Sequence, residues 1–187
     1  MLILVRHGRT EANAQARLQG RLDLPLDEVG QQQAASIAER LGTPDLLITS
    51  PLLRARQTAE HFGADTTIDP RWVEISYGAY EGLPFDEVAS ETWDRWYGDV
   101  HFCPPDGESL FTLGERVVDA CEELLPLARD RDVVVVTHVS PMKAAVAWAL
   151  GVDLHISWRT HLDHASVCRV KATPRGPSLV SFNERLW

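Results

Sequence analysis

Lysine is almost absent from this chain: Lys143 and Lys171 stand against 16 arginines among 187 residues. Cysteine is scarce too, with Cys103, Cys121 and Cys168 far apart. An odd number with no CxxC pair offers neither a disulfide framework nor a redox or metal pair. No uninterrupted apolar run is longer than that from Ala144 to Leu150, well short of the roughly 18 residues a membrane span requires. The opening Met1-Leu2-Ile3-Leu4-Val5 lacks a preceding basic segment and is too short for an export signal. A cytoplasmic location is therefore expected, with no membrane partner. Positive charge is also in deficit, since 18 basic residues against 27 acidic ones leave a net charge of −9. A polyanion would be repelled, so nucleic acid is not an expected partner. A small anion would need a local basic cluster, and here that cluster must be arginine, whose planar fork binds phosphate through paired hydrogen bonds. Codon usage is the competing explanation for most of the arginine bias.

Apolar residues make up 44% of the chain and charged residues 24%, values ordinary for a folded protein of one domain. Residues 1–187 are accordingly read as a single unit. Met1–Val5 predicts a strand buried on both faces. Asp27 caps a helix with apolar positions Val29, Ala34, Ile37, Ala38 and Leu41, which Gly42 and Pro44 stop. Leu46–Thr49 predicts a second short strand, and Ser50-Pro51 the opening of a helix of about a dozen residues. The stretch from Ile68 to Gly82 is irregular, Pro84–Tyr97 reads as helical, and a long helix is expected from Ser109 to Arg129. Val133–Thr137 is the strongest strand signal, a β-branched run suited to the centre of a parallel sheet. Ser140 at N-cap and Pro141 at N1 predict the next helix, to Leu150. Ala165–Lys171 and Leu179–Phe182 predict a terminal hairpin. The fold class is α/β: a three-layer α/β/α sandwich on a mostly parallel central sheet, with a C-terminal hairpin.

Three predicted strands deliver polar residues at their carboxyl ends: Arg6 and His7, Ser50 to Arg54, and His138. Open parallel sheets bind ligands at that edge. Two imidazoles and two guanidiniums gathered there suit a phosphate dianion, held by charge-assisted bonds and by amides at helix N-termini. Arg6-His7-Gly8 alone is a weak signal, since roughly four in a hundred shuffled chains of this composition would carry it by chance. Its setting after a buried strand, with Thr10 and Asn13 following and a second strand-terminal histidine downstream, is far harder to obtain by accident.

Leu4-Val5-Arg6-His7-Gly8-Arg9-Thr10-Glu11-Ala12-Asn13 resembles the signature of the histidine phosphatase superfamily, the phosphoglycerate-mutase-like proteins. The resemblance continues through Gly20 to Leu26 with Gly30 and Gln33, Ser50 to Ala59, Glu74 with Tyr77-Gly78 and Glu81-Gly82, Gly107-Glu108-Ser109, and Thr137-His138. It implies that His7 is a nucleophile forming a phosphohistidine, and that Arg6, Arg54, His138, Asn13 and the Val139 amide hold the phosphate. Glu74 matches the proton donor, with Glu81 on the same segment as the rival. Attack requires His7 to be neutral at one ring nitrogen while the other donates to a fixed acceptor, for which a backbone carbonyl would serve. Arginine and amide donors can carry the transition-state charge, so no metal or other cofactor is expected. Spacings of six and three among His155, His161 and His164 fit no zinc pattern. Arg9 and Arg56 read as surface or supporting residues, and Glu108 as helix-start chemistry.

The resemblance implies a phosphatase of the small branch, acting on a small phosphorylated metabolite. A phosphoglycerate mutase using the same pocket is the alternative, disfavoured by the short chain and its two lysines. A silent phospho-ligand-binding protein is the third reading. Trp93, Trp96 and Tyr97 are spaced either for core packing or to wall the leaving-group pocket, with residues 81–105 as a cap over it. A homodimer is left open.

Overall fold

A computed structural model describes all 187 residues. Six strands form one sheet: β1 (Leu2–Arg6), β2 (Leu46–Thr49), β3 (Thr66–Ile68), β4 (Val133–Thr137), β5 (Ser166–Thr173) and β6 (Gly176–Arg185). Their order is β3-β2-β4-β1-β5-β6. The first four run parallel, whereas β5 is antiparallel to β1 and β6 to β5.

The continuous apolar runs of β1 and β4 are explained by burial on two sides. Leu2, Leu4, Val133 and Val135 face one core with helices α5 (Leu110–Leu124) and α6 (Val139–Leu150). Ile3, Val5, Val134 and Val136 face the other, against α2 (Glu28–Leu41) and α3 (Leu53–Glu60). Side chains alternate across a strand, so each run of aliphatic residues feeds both layers. The three-layer sandwich and its terminal hairpin stand as expected from sequence. Among its helices, none is long and apolar enough to cross a membrane. Cys121 and Cys168 are buried free thiols, and Cys103 is an exposed one.

Several element boundaries differ from the expectation, each for a local reason. Helix α6 begins at Val139 with His138, not Ser140, at the N-cap. The first-turn amide of Ser140 is taken by the Glu74 carboxylate at 3.2 Å, so the serine hydroxyl is not required as a cap. Helix α3 starts at Leu53, whose amide donates to Asp23 at 2.6 Å, and it runs only eight residues. Pro84–Tyr97 splits into a 3₁₀ turn at Phe85–Glu87 and α4 (Ser90–Gly98), because Val88 turns inward to pack with Leu18, Trp96 and Phe102. Helix α5 is capped by Ser109 as expected but ends at Leu124, and Pro126 precedes a separate 3₁₀ turn at Leu127–Arg129. Edge strand β3 is short, polar and exposed, leaving no hydrophobic periodicity to detect.

The turn after β1 is fixed by a close backbone approach. A Cβ on Gly8 would lie 2.3 Å from the Gly30 carbonyl oxygen, and one on Gly30 would lie 2.0 Å from that of Arg9. Only glycine at both positions lets this turn rest directly on the first turn of α2.

Candidate active site

Parallel pairing sets Arg6 opposite Thr137, so His7 and His138 leave the sheet side by side. The His7 amide donates to the Thr137 carbonyl, and the Ser50 amide to that of Val136, each at 3.0 Å. Three sequence segments are thereby locked at one sheet edge. The two imidazole centroids lie 5.0 Å apart with their planes inclined at 61°, and both rings are almost fully buried.

The proton on His7 is assigned by its neighbours. Nδ1 lies 2.7 Å from the Gly8 carbonyl oxygen, which can only accept, so Nδ1 carries the hydrogen. The guanidinium of Arg54 donates through Nε to His7 Nε2 at 3.1 Å, which requires a lone pair there. The ring is therefore neutral with Nε2 unprotonated. Burial, followed by the positive charges of Arg54 and Arg6, holds its pKa well below the ordinary histidine value. Thr58 supports this geometry: its hydroxyl accepts from the Gly8 amide at 3.2 Å and donates to the Arg54 carbonyl at 2.8 Å.

Arg54 is itself almost fully buried. Its terminal nitrogens donate to the Gly20 and Leu22 carbonyls at 2.7 and 2.8 Å. Arg6 donates to the Leu162 carbonyl at 2.6 Å, while its buried Nε has no protein partner. Burial lowers both guanidiniums to about 10, so they remain cations at neutral pH. His138 contacts the Ser50 hydroxyl through Nε2 at 2.7 Å, and its buried Nδ1 is unpartnered. Its pKa too is held well below the ordinary value, by burial first and then by Arg54.

Asn13 spends its side-chain oxygen on the Thr10 amide at 3.2 Å, leaving its NH₂ group without a protein acceptor. The Val139 amide is the first of α6 and has no intrahelical acceptor. Glu74 is buried beside this corner; its Oε1 accepts from the Ile75 and Ser140 amides at 2.9 and 3.2 Å, and its Oε2 makes no hydrogen bond. Glu81 instead spends Oε1 on the Arg21 and Tyr77 amides and the Ser76 hydroxyl. It ties two loops together.

Arg9 pairs with Asp27 at 2.7 Å, and Arg56 is exposed. Glu108 departs from a simple helix-start role: it binds Arg116 at 2.9 Å and Arg21 at 3.1 Å. His155 pairs with Asp153 and His161 with Asp163, while His164 is lowered to about 4 by burial and by Arg6. These histidines do not converge into a metal-ligating group. Trp96 is buried in an aromatic cluster with Tyr77, Tyr80, Trp93 and Phe102, and Tyr97 meets the edge of Trp158 at 4.9 Å. Sequence reading missed Ser50, Thr58 and the Gly20, Leu22 and Leu162 carbonyls. Ser50 and Thr58 fell inside a matched segment, but carbonyl acceptors leave no residue-type signal.

The family model for the histidine phosphatase superfamily (branch 1) matches residues 2–185. A bifunctional protein of Mycobacterium tuberculosis is 36% identical over 189 residues, covering 96% of this chain. The chain spans only 52% of that relative's length. Phosphoserine phosphatase 1 of Hydrogenobacter thermophilus is 34% identical, covering 97% of this chain and 91% of its own. The probable phosphoglycerate mutase GpmB of Citrobacter koseri is also 34% identical, covering 98% and 86%. Among solved structures, a phosphoserine phosphatase mutant of Entamoeba histolytica bound to phosphoserine superimposes with a TM-score of 0.89 at 26% identity, covering 98% of this chain and 96% of that one. Sheet, strand-end histidines and end-to-end sequence match agree: the chain belongs to branch 1 of the histidine phosphatase superfamily.

Proposed function

We propose that this protein is a phosphatase that hydrolyses a small phosphomonoester through a phosphohistidine on His7. The observation that carries the reading is the hydrogen bond from Arg54 to an unprotonated Nε2. In-line attack on phosphorus needs a neutral imidazole with Nε2 unprotonated; the Arg54 bond holds that lone pair until a phosphoryl group takes its place and the guanidinium turns to a phosphoryl oxygen. As Nε2 bonds to phosphorus, the ester oxygen departs with its electron pair. Positive charge gathers on the ring, and the Gly8 carbonyl, already accepting from Nδ1, stabilises it.

Arg6 Nε, His138 Nδ1, the Asn13 NH₂ group and the Val139 amide are donors without protein acceptors at one sheet edge. They support a cradle for the three equatorial phosphoryl oxygens, with catalysis by positioning and charge. In this arrangement Ser50 donates to His138 Nε2, which leaves the Nδ1 hydrogen for phosphate. Glu74, with Oε2 unengaged, would give its proton to the departing oxygen and then take one from the water that opens the phosphohistidine. Glu81 is less suited, because it is only half-buried and ties two loops together, whereas Glu74 is buried at the Val139-Ser140 corner. Residues 81–105 form the cap in this reading, tied to the loop after α1 (Glu11–Ala14) by the bonds from Leu18 N to the Leu83 carbonyl and from Gly82 N to the Leu18 carbonyl.

Hydrolysis is preferred over transfer on the phosphatase-named relative and solved structures that match almost end to end; the probable mutase GpmB matches at the same identity, and the reaction product tells the two apart. With a panel of phosphomonoesters, inorganic phosphate should appear in solution, and His7→Ala should lower turnover by about a thousandfold or more. Chelators should leave the rate intact. Phosphoryl transfer between the hydroxyls of phosphoglycerate without phosphate release would make it a mutase instead; activity lost to chelator and restored by zinc would overturn a metal-free mechanism.

For the acid, Glu74→Gln should slow alkyl phosphates by about a hundredfold while slowing p-nitrophenyl phosphate far less, since nitrophenolate departs without a proton. The same pattern from Glu81→Gln would transfer the role to that residue.

The neutral histidines also have a thermodynamic signature. Their native pKa values lie below the unfolded value of about 6.5, so between the two the unfolded state binds more protons. Stability is complete above pH 6.5 and falls as the pH drops below it, by up to about 1.4 kcal/mol per pH unit for each histidine. Urea midpoints measured from pH 7.5 to 5 should show this loss, and His138→Gln should have a shallower slope than wild type. Equal slopes would mean that His138 is protonated in the native state.

A further inference from the structure

The terminal hairpin of β5 and β6 contributes no residue to the phosphate cradle, yet one end of it is tied to the turn that holds Arg6 and His7. The Leu162 carbonyl accepts from Arg6 at 2.6 Å, and it is the one partner of that side chain, whose buried Nε has none. Three residues on, the Ala165 amide donates to the His7 carbonyl at 3.1 Å. Asp163 and His164 lie between these two contacts. The Ser166 amide closes the turn on the Asp163 carbonyl at 3.3 Å. Ala165, fully buried, occupies its third position at φ +56°, a left-handed conformation that glycine would ordinarily fill. A turn of this kind keeps its shape only where its surroundings over-determine it.

Those surroundings come from β6. Its pairing with β5 slips between Val167, opposite Glu184, and Arg169, opposite Ser181, so β6 carries one extra residue there and bulges. Asn183 lies in the bulge at φ +56°, a conformation that asparagine adopts more readily than most residues. Its side chain meets Asp163 twice: Oδ1 accepts from the Asp163 amide at 2.7 Å, and Nδ2 donates to the Asp163 carboxylate at 2.9 Å. Arg185 reaches both oxygens of that carboxylate at 2.8 Å, and His161 Nε2 lies 3.3 Å from one of them. The Arg185 side chain is mostly exposed, so its pair contributes little. The bonds from Asn183 are partly buried and carry more of the restraint.

We propose that Asp163 and Asn183 are positioning residues: by clasping the turn to the β6 bulge, they hold the Leu162 carbonyl where it aims the Arg6 guanidinium into the phosphate cradle. This rests on the reading of Arg6 as a phosphate donor, and it gives the terminal hairpin a part in the chemistry. A bulge that re-aims one side chain is a common device beside active sites, and here the side chain it turns is Asn183.

The test uses the full chain. Asn183→Gly removes both side-chain bonds while accepting the positive φ without strain, and Asp163→Asn removes the charge at nearly constant size. Circular dichroism checks folding; if Asp163→Asn fails to fold, Asn183→Gly carries the test. Each variant should weaken binding of vanadate and lower kcat/KM for p-nitrophenyl phosphate by about tenfold. In an Arg6→Ala background the same substitutions should change vanadate affinity by less than twofold, because the group they position is gone. Equal losses with and without Arg6, or no loss where Arg6 is present, overturn the clasp. A reading that needs no ligand is the NMR signal of the Arg6 Nε–H, identified by its disappearance in Arg6→Ala, which should shift or broaden in Asn183→Gly. If the wild-type chain binds no vanadate, the phosphate cradle falls while this signal still decides the clasp, and it decides equally where Arg6→Ala binds too weakly to measure. An Arg6 signal unmoved by Asn183→Gly overturns it.

Discussion

One hydrogen bond organises the site: that from the Arg54 guanidinium to His7 Nε2. It can form only if the imidazole is neutral and its lone pair points at the cation. The surrounding architecture makes that state the favoured one. Burial removes the water that would solvate an imidazolium, Arg54 and Arg6 repel the extra proton, and the Gly8 carbonyl fixes the other ring nitrogen as donor. Each of these contributions depends on backbone. Gly8 is held by Thr58 and by its close approach to Gly30, and Arg54 is held by the carbonyls of Gly20 and Leu22.

The cost of this arrangement is two desolvated arginines near two uncharged rings, in a chain whose net charge is −9. Buried cations without counterions destabilise a fold unless carbonyls or an anion satisfy them. Here carbonyls of Gly20, Leu22 and Leu162 do so in part, and the unengaged Nε of Arg6 and Nδ1 of His138 remain. On the reading proposed above, a phosphoryl group is the missing counter-charge. On the same reading the two guanidiniums give the pocket a local field opposite in sign to the global one, which would favour small anions over extended ones.

Much of this is legible in the residues. The apolar runs of β1 and β4 announce strands buried on two faces, and the polar residues immediately after them mark the functional edge. Caps at Asp27 and Ser109 behave as local chemistry predicts. Where the residues mislead, a distant partner has replaced a local one: Asp23 accepts from the first amide of α3 in place of Ser50, and Glu74 accepts from the Ser140 amide, in the first turn of the helix that Ser140 was expected to cap. Tertiary partners of this kind have no periodicity or spacing. The same holds for the carbonyl acceptors around the two arginines, which come from segments that are not adjacent in sequence.

If His7 Nε2 attacks phosphorus, a covalent phosphoryl group must exist on that ring during turnover. Rapid quenching of the wild-type protein with a ³²P-labelled ester, followed by digestion and mass analysis, reads this directly. The expected result is an acid-labile, base-stable phosphoryl group on the peptide carrying His7, formed no more slowly than phosphate is released. Steady turnover with no such adduct at any quench time, or an adduct on His138 instead, would contradict it.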